Sequence, residues 1–274
     1  MTRTDQANHF PLNPLFRTPD ASTTIRGGVV ALHGSSLPQR DQPIFKHLAQ
    51  SLNPLGFVVL SFDRRPWPGD DTPLEVQTED ALQAVHSLRN KISAPVGLFG
   101  FSQGAWSASL AASRDPTVAF LLLVGCSGVS PAEQMRFYSD ELLRRSGFSS
   151  ADRAKQLALR IGFERLYRGD GDRTTTGDLL QEALEEPWFK AAYDEGELPA
   201  PGVLWRDIDY DPEPAFTKVM VPTLLLYGSD EECVPAAASK VVWSRAADIS
   251  GNQQITIIDI PNCGHFPAPG ENPA

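Results

Sequence analysis

The stretch Gly97-Leu98-Phe99-Gly100-Phe101-Ser102-Gln103-Gly104-Ala105-Trp106 decides the reading of this chain. Its first half is a short apolar run with the character of a buried strand. Its second half opens a helix-forming segment. Between them stands Gly100-Phe101-Ser102-Gln103-Gly104. Glycines two residues before and two after the serine permit a strained turn that lifts the hydroxyl above the sheet edge. The N-terminus of the following helix adds backbone N–H groups and a positive dipole end. G-x-S-x-G alone is common. Set between a strand and a helix, it marks Ser102 as a candidate nucleophile.

Working outward, apolar runs at 29–32, 57–62, 96–99, 118–124, 223–227 and 255–260 each end in glycine, proline or a polar residue. Each is apolar on both faces, as strands covered by helices on both sides must be. Helical stretches at 41–54, 74–92, 103–114 and 236–247 separate them. This alternation predicts an α/β fold, an open, mostly parallel sheet with right-handed crossovers. Ligands of such sheets bind at the carboxyl ends of the strands. From Pro131 to Phe216 the alternation stops and only helices are predicted. Ser130 and Glu133 form a capping box with Pro131 at the first helical position. Further helices start near Ser150 and near Thr176. This insertion carries most of the net negative charge and reads as a cap over the strand ends with a solvated outer face. The domain reading is therefore a core of 1–130 and 217–274 and a helical cap of 131–216.

The chain has 274 residues, 41% apolar and 21% charged, with 24 basic and 34 acidic residues and a net charge of −10. It is long enough to bury a core without disulfides or metals. The sign of the charge argues against nucleic acid and against a polybasic membrane anchor. No apolar stretch is long enough to span a bilayer. Cys126, Cys233 and Cys263 make no disulfide framework and no C-x-x-C pair. With no secretory h-region at the start, the expected compartment is the cytoplasm. Nothing in the sequence fixes an oligomeric state.

A serine hydroxyl needs a base. Of His9, His33, His47, His86 and His265, only His265, in Asn262-Cys263-Gly264-His265-Phe266, follows the last strand with no competing role. His47 and His86 lie in amphipathic helices, His9 lies in the polar tail, and His33 shapes a loop beside Gly34. The base needs a carboxylate to hold its tautomer. The strand ending at Tyr227 runs into Gly228-Ser229-Asp230-Glu231-Glu232-Cys233-Val234-Pro235, three consecutive acids at the same sheet edge. The order serine, acid, histidine is the one used by this strand–turn–helix arrangement. The backbone of Gln103, the residue after the serine, is a candidate oxyanion donor.

With these residues in hand, the chain resembles an α/β-hydrolase, in particular the dienelactone-hydrolase-like and prolyl-oligopeptidase-like serine esterase group. The matching stretches are ALHGSS (31–36), LSFDRR (60–65), GLFGFSQGAW (97–106), the segments 111–134 and 209–235, and NCGHFP (262–267). The resemblance implies an α/β-hydrolase fold with the cap between its sixth and seventh strands. The family's acid turn reads G-x-x-D-x-x-V-P. Counting from Gly228 and back from Pro235 puts Glu231 at the aspartate position, a departure in residue type, and Asp230 is the alternative acid. The family's H-G-x loop implies Ser35 as the second backbone oxyanion donor. A further departure is Asp63-Arg64-Arg65-Pro66-Trp67, where the family has D-x-R-G. It puts Trp67 at the substrate pocket, with covering of apolar surface as its competing role.

The implied activity is hydrolysis of a small-molecule carboxylic ester through an acyl-enzyme. An amidase, peptidase or thioesterase with the same triad is the first alternative. A non-hydrolytic enzyme or small-molecule binding protein on the same fold is the second. No cofactor is implied: no phosphate-binding glycine motif occurs. No metal is implied either. Asp170-Gly171-Asp172 departs from the calcium loop at Thr175 and Gln181, and Asp207, Asp209 and Asp211 read as turns and caps. The three thiols read as small packing groups.

Overall fold

Runs such as Val29-Val30-Ala31-Leu32 and Phe57-Val58-Val59-Leu60 are β-branched or apolar at every position, and they form strands buried on both faces. The computed structural model describes residues 13–35, 38–67, 72–193 and 196–266. Among them, β1 (Leu15–Arg17), β2 (Gly27–Leu32), β3 (Phe57–Ser61), β4 (Val96–Phe101), β5 (Leu121–Val124), β6 (Thr223–Gly228) and β7 (Ile255–Ile260) form one sheet. The order is β1-β3-β2-β4-β5-β6-β7. All neighbours are parallel except β1 and β3.

β1 is not legible in the sequence. It has only three residues, and a side chain helps hold it in place: the Arg17 guanidinium donates to Ser61 Oγ at 2.8 Å. The strand expected at 118–124 begins later, at Leu121. Val118 is taken up by the turn after the preceding helix, where its N–H bonds to the Asp115 carbonyl at 3.2 Å.

Helices cover the two faces unequally. On one side, α2 (Leu74–Arg89), α3 (Gln103–Arg114) and α9 (Ala236–Ser250) pack Ala81, Val85, Ala108 and Trp243 against Val30, Leu60, Leu98 and Leu123. On the other, α1 (Pro43–Leu52) brings Phe45 and Ala49 onto Val29, Val59 and Phe99.

The helical segment comprises α4 (Pro131–Arg145), α5 (Ser150–Arg168), α6 (Arg173–Leu184), α7 (Phe189–Ala192) and α8 (Glu213–Phe216). Among the seven strands described, it falls between the fifth and sixth. The capping box at Ser130 and Glu133 forms, and a second forms at Ser149 and Asp152. α6 starts earlier than Thr176. Asp172 caps it by accepting from the N–H groups of Thr174 and Thr175, so the aspartate of the rejected calcium loop is a helix cap. The segment has its own core of Leu143, Leu159, Phe163, Leu180, Trp188 and Phe189. Beside it, the fully buried Glu164 carboxylate meets Arg136, Arg160 and Arg168.

The register sets the working edge. Leu32 pairs with Gly100, Phe101 with Val124, Val124 with Leu226, and Gly228 with Ile260. The residues that follow β2, β4, β5, β6 and β7 therefore leave the sheet from one edge.

Candidate active site

Ser102 joins β4 to α3 with φ 52° and ψ −120°. A non-glycine residue in that region costs about 1–3 kcal/mol and persists only where its surroundings enforce it. Here the Ser102 N–H bonds to the Val124 carbonyl at 2.8 Å, and its own carbonyl accepts from Ala105 at 2.9 Å. The flanking glycines are required by close approach. A Cβ on Gly100 would stand 2.5 Å from Ala105 Cα, and one on Gly104 would stand 2.5 Å from the His33 carbonyl oxygen.

His265 is 5% exposed and Glu231 is 9% exposed. Their side chains meet, with His265 Nδ1 2.8 Å from Glu231 Oε1. A carboxylate can only accept, so the Nδ1 proton points to Glu231 and Nε2 is left as the acceptor. The same Oε1 accepts from the N–H groups of Cys233 at 3.0 Å and Val234 at 3.1 Å. The longer glutamate stem is thus folded back onto its own turn.

The three consecutive acids separate cleanly. The Asp230 side chain is 69% exposed, and its backbone carbonyl accepts from Arg145 of α4 at 3.0 Å. Glu231 holds the imidazole. Glu232, unassigned from sequence, accepts the backbone N–H of His265 through Oε2 at 3.0 Å. Adjacent carboxylates on a turn point in different directions, and composition alone does not say which goes where.

Two further contacts bring the pieces together. The Phe101 ring, next to Ser102, lies 5.0 Å from the His265 ring. Gly125, directly after β5 with φ 58°, faces the imidazole: a Cβ there would meet His265 Cε1 at 2.6 Å and Nδ1 at 2.9 Å. The signal for Gly125 was a glycine closing a buried strand at the same edge. No hydrogen bond joins Ser102 to His265 among the described residues. In unliganded enzymes such bonds are often long and tighten with substrate.

The loop after β2 passes against the serine. A Cβ on Gly34 would lie 3.5 Å from Ser102 Cβ. Ser35 follows it, and Gln103 opens α3, where backbone N–H groups face outward from the helix start. His33 is buried edge-on to Phe45 and Phe62, at 5.2 and 5.8 Å. Burial, aided by the Arg64 charge, pushes its pKa down to about 4, so its ring is a neutral packing group. His47 and His86 are exposed, and His9 lies outside the described residues. Trp67 is half-buried on the loop after β3.

Glu231, Cys233 and His265 offer three metal-capable donor atoms within 4.8 Å of one another. The imidazole–carboxylate hydrogen bond already engages two of them. Burial, with the Glu232 and Glu231 charges, raises the Cys233 thiol well above its ordinary range and holds it neutral. Burial likewise pushes Cys126 up to about 12. All three thiols are free.

No helix among the described residues is long and apolar enough to cross a membrane. No curated protein sequence matches the chain at a significant level. Solved structures do. TT1662 from Thermus thermophilus is 17% identical with a TM-score of 0.56, covering 94% of this chain and 88% of its own. The proline iminopeptidase of Mycobacterium smegmatis is 15% identical with a TM-score of 0.55, covering 92% and 87%. The monoacylglycerol lipase of Paleococcus ferrophilus is 20% identical with a TM-score of 0.51, covering 93% and 90%. At these identities the likeness is one of fold. The sequence itself matches the alpha/beta hydrolase family over residues 29–274, a span that takes in the Ser102 elbow, the acid turn and His265. The chain belongs to the alpha/beta hydrolase family.

Proposed function

We propose that the chain is a serine hydrolase that cleaves a carboxylic ester of a small molecule through an acyl-enzyme. One observation carries this reading: a strained serine elbow shares its sheet edge with a buried histidine whose Nδ1 is bonded to a carboxylate. Ser102 Oγ attacks the ester carbonyl while His265 Nε2 takes its proton. The carbonyl oxygen becomes an oxyanion on the backbone N–H groups of Ser35 and Gln103, each such donor worth about 3 kcal/mol. The tetrahedral intermediate collapses, the C–O bond to the alcohol breaks, and His265 gives the alcohol its proton. Water then attacks the acyl-enzyme, giving its proton to His265, and Ser102 leaves with that proton as the acid departs. Glu231 orients the imidazole and stabilises its charged form throughout. No cofactor is needed for any of these steps.

The helical segment 131–216 acts in this reading as a cap that selects the acyl or alcohol group, with Trp67 on the pocket wall. Within the family, the reading places the chain in the dienelactone-hydrolase-like and prolyl-oligopeptidase-like esterase group, on the resemblance of its matching stretches alone. A thioester or amide would pass through the same steps, and the structural neighbours include both a lipase and a peptidase by name. The experiment is intact mass after incubation with a fluorophosphonate, on the parent protein and on Ser102→Ala, followed by ester, thioester and anilide turnover. A single adduct absent from the variant, with ester turnover fastest, is expected. A folded parent protein with no adduct overturns the reading in favour of a binding or non-hydrolytic role.

A further inference from the structure

Among the described residues, Arg64 is a buried cation beside the site, 8% exposed. It stands in the loop after β3, in Asp63-Arg64-Arg65-Pro66. Its neighbour Arg65, which occupies the arginine position of the D-x-R-G pattern, turns away to pair with the buried Asp80 carboxylate of α2. Arg64 turns the other way. Its guanidinium donates to the backbone carbonyl of His33 at 3.3 Å, of Ser35 at 3.2 Å, and of Gly34. Three successive carbonyls of one loop thus converge on one fork of donors.

A trans peptide is planar, and its C=O and the next residue's N–H point to opposite sides. When the carbonyls of His33 and Gly34 face Arg64, the N–H groups of Gly34 and Ser35 must face away from it. Ser102 lies against that loop, since the position of a Gly34 Cβ is 3.5 Å from Ser102 Cβ. Three consecutive carbonyls turned to one side are not a regular strand or helix, where neighbouring groups pair along a ladder. A buried polar group must find a partner, and here one side chain partners the buried carbonyls of His33 and Gly34 together with that of Ser35. We infer that Arg64 is the positioning residue of the oxyanion hole: by binding the carbonyls of His33, Gly34 and Ser35, it holds the Ser35 N–H toward the oxygen that becomes negative during acyl transfer.

The chemistry fits arginine and not lysine. A rigid planar fork with five donors can satisfy several acceptors in one plane, whereas an ammonium is a point with three rotatable donors. The charge has a second effect. A cation behind a peptide dipole favours negative charge in front of it, as preorganised dipoles at an oxyanion site do. The same charge contributes to keeping the adjoining His33 ring neutral.

This inference rests on the acyl-transfer reading, and its test separates the two. Arg64→Met and Arg64→Lys are compared with the parent protein in three measurements: kcat and KM on a p-nitrophenyl ester, fluorophosphonate labelling, and the inhibition constant of an aryl trifluoromethyl ketone. The ketone adds to Ser102 and places an oxyanion in the hole, so its affinity reports the hole directly. Loss of one oxyanion donor lowers kcat about 10²–10³-fold. Arg64→Met is expected to lose kcat on that scale with KM within a few-fold, and to lose ketone affinity in proportion. Arg64→Lys is expected to recover part of both. A parent protein that neither turns over ester nor labels overturns the acyl-transfer reading and this inference with it. An active, labelled parent protein whose folded Arg64 variants keep ketone affinity and kcat overturns the inference alone. If Arg64→Met does not fold, Arg64→Lys decides by the same readouts.

Discussion

Glu231→Gln isolates charge from geometry at the acid position. Glu231 Oε1 receives three donors, from Cys233, Val234 and His265, while Oε2 has no hydrogen-bond partner among the described residues. A glutamine placed here must put its carbonyl oxygen where the three donors converge and its NH₂ at the Oε2 position. The imidazole therefore keeps its Nδ1 proton and its orientation, and only the negative charge is lost. With charge centres roughly 4 Å apart and an effective dielectric of 20, the attraction to an imidazolium is about 4 kcal/mol. At about 1.4 kcal/mol per decade, the variant should lose about three decades in kcat on a p-nitrophenyl ester, with KM little changed. Its unfolding free energy in urea should fall by about 1–3 kcal/mol, because the three bonds to the oxygen are kept while the NH₂ takes the buried Oε2 position without an acceptor. Glu231→Ala removes the acceptor of all three donors, the N–H groups of Cys233 and Val234 and the Nδ1–H of His265, and should cost about 1–3 kcal/mol for each one left unpaired. Asp230→Asn, at an exposed side chain, should leave kcat within a few-fold. The reasoning fails if Glu231→Gln keeps more than a tenth of the parent kcat, or if Asp230→Asn falls as far.

Two other perturbations probe the same edge. Gly125→Ala pushes a methyl into the imidazole at a positive φ. It should lower kcat/KM by about 10²-fold through misplacement of the base and cost about 1–2 kcal/mol of stability. An unchanged kcat/KM would mean His265 does not sit where it is drawn. His33 has a folded pKa of about 4 against about 6.5 for an ordinary histidine. Between these values the unfolded chain binds the proton first, so the contribution is fully present above about pH 6.5 and is lost as pH falls toward 4. By pH 5 the loss should amount to about 2 kcal/mol relative to pH 7. Urea denaturation at pH 7 and pH 5 should show a smaller difference for His33→Gln than for the parent, and equal differences would remove His33 as the source.

Ser102 and His265 stood out as candidates in the sequence because each is a reactive residue type just beyond the carboxyl end of a strand, and strand ends are visible as glycine or proline closing an apolar run. The helical segment was readable from a capping box and 3.6-residue periodicity. The short elements were not. β1 has three residues and α7 and α8 four each, fewer than one period of any pattern. The choice between Asp230 and Glu231 needed a count against a family spacing, because neighbouring carboxylates on a turn are chemically alike. The structure separates them by direction, one toward Arg145 and solvent, one toward His265. Glu232 and Arg64 were invisible for another reason. Both act on backbone groups, and a sequence does not record which carbonyls and N–H groups a turn exposes.

Arg145 also bears on how separable the two parts of this molecule are. It is anchored within α4 by Glu141 and reaches across to the carbonyl of Asp230, the residue before the one that holds the base. In the proposed reading, where this segment is the cap, substrate selection and turnover share a mechanical joint. In laboratory recombination, a helical segment grafted from a relative without this arginine would arrive with the acid turn untied on its outer side. Chimeras that carry Arg145 and Glu141 along with the graft preserve the joint, and they are the natural starting point for exchanging the segment without untying the turn that holds His265.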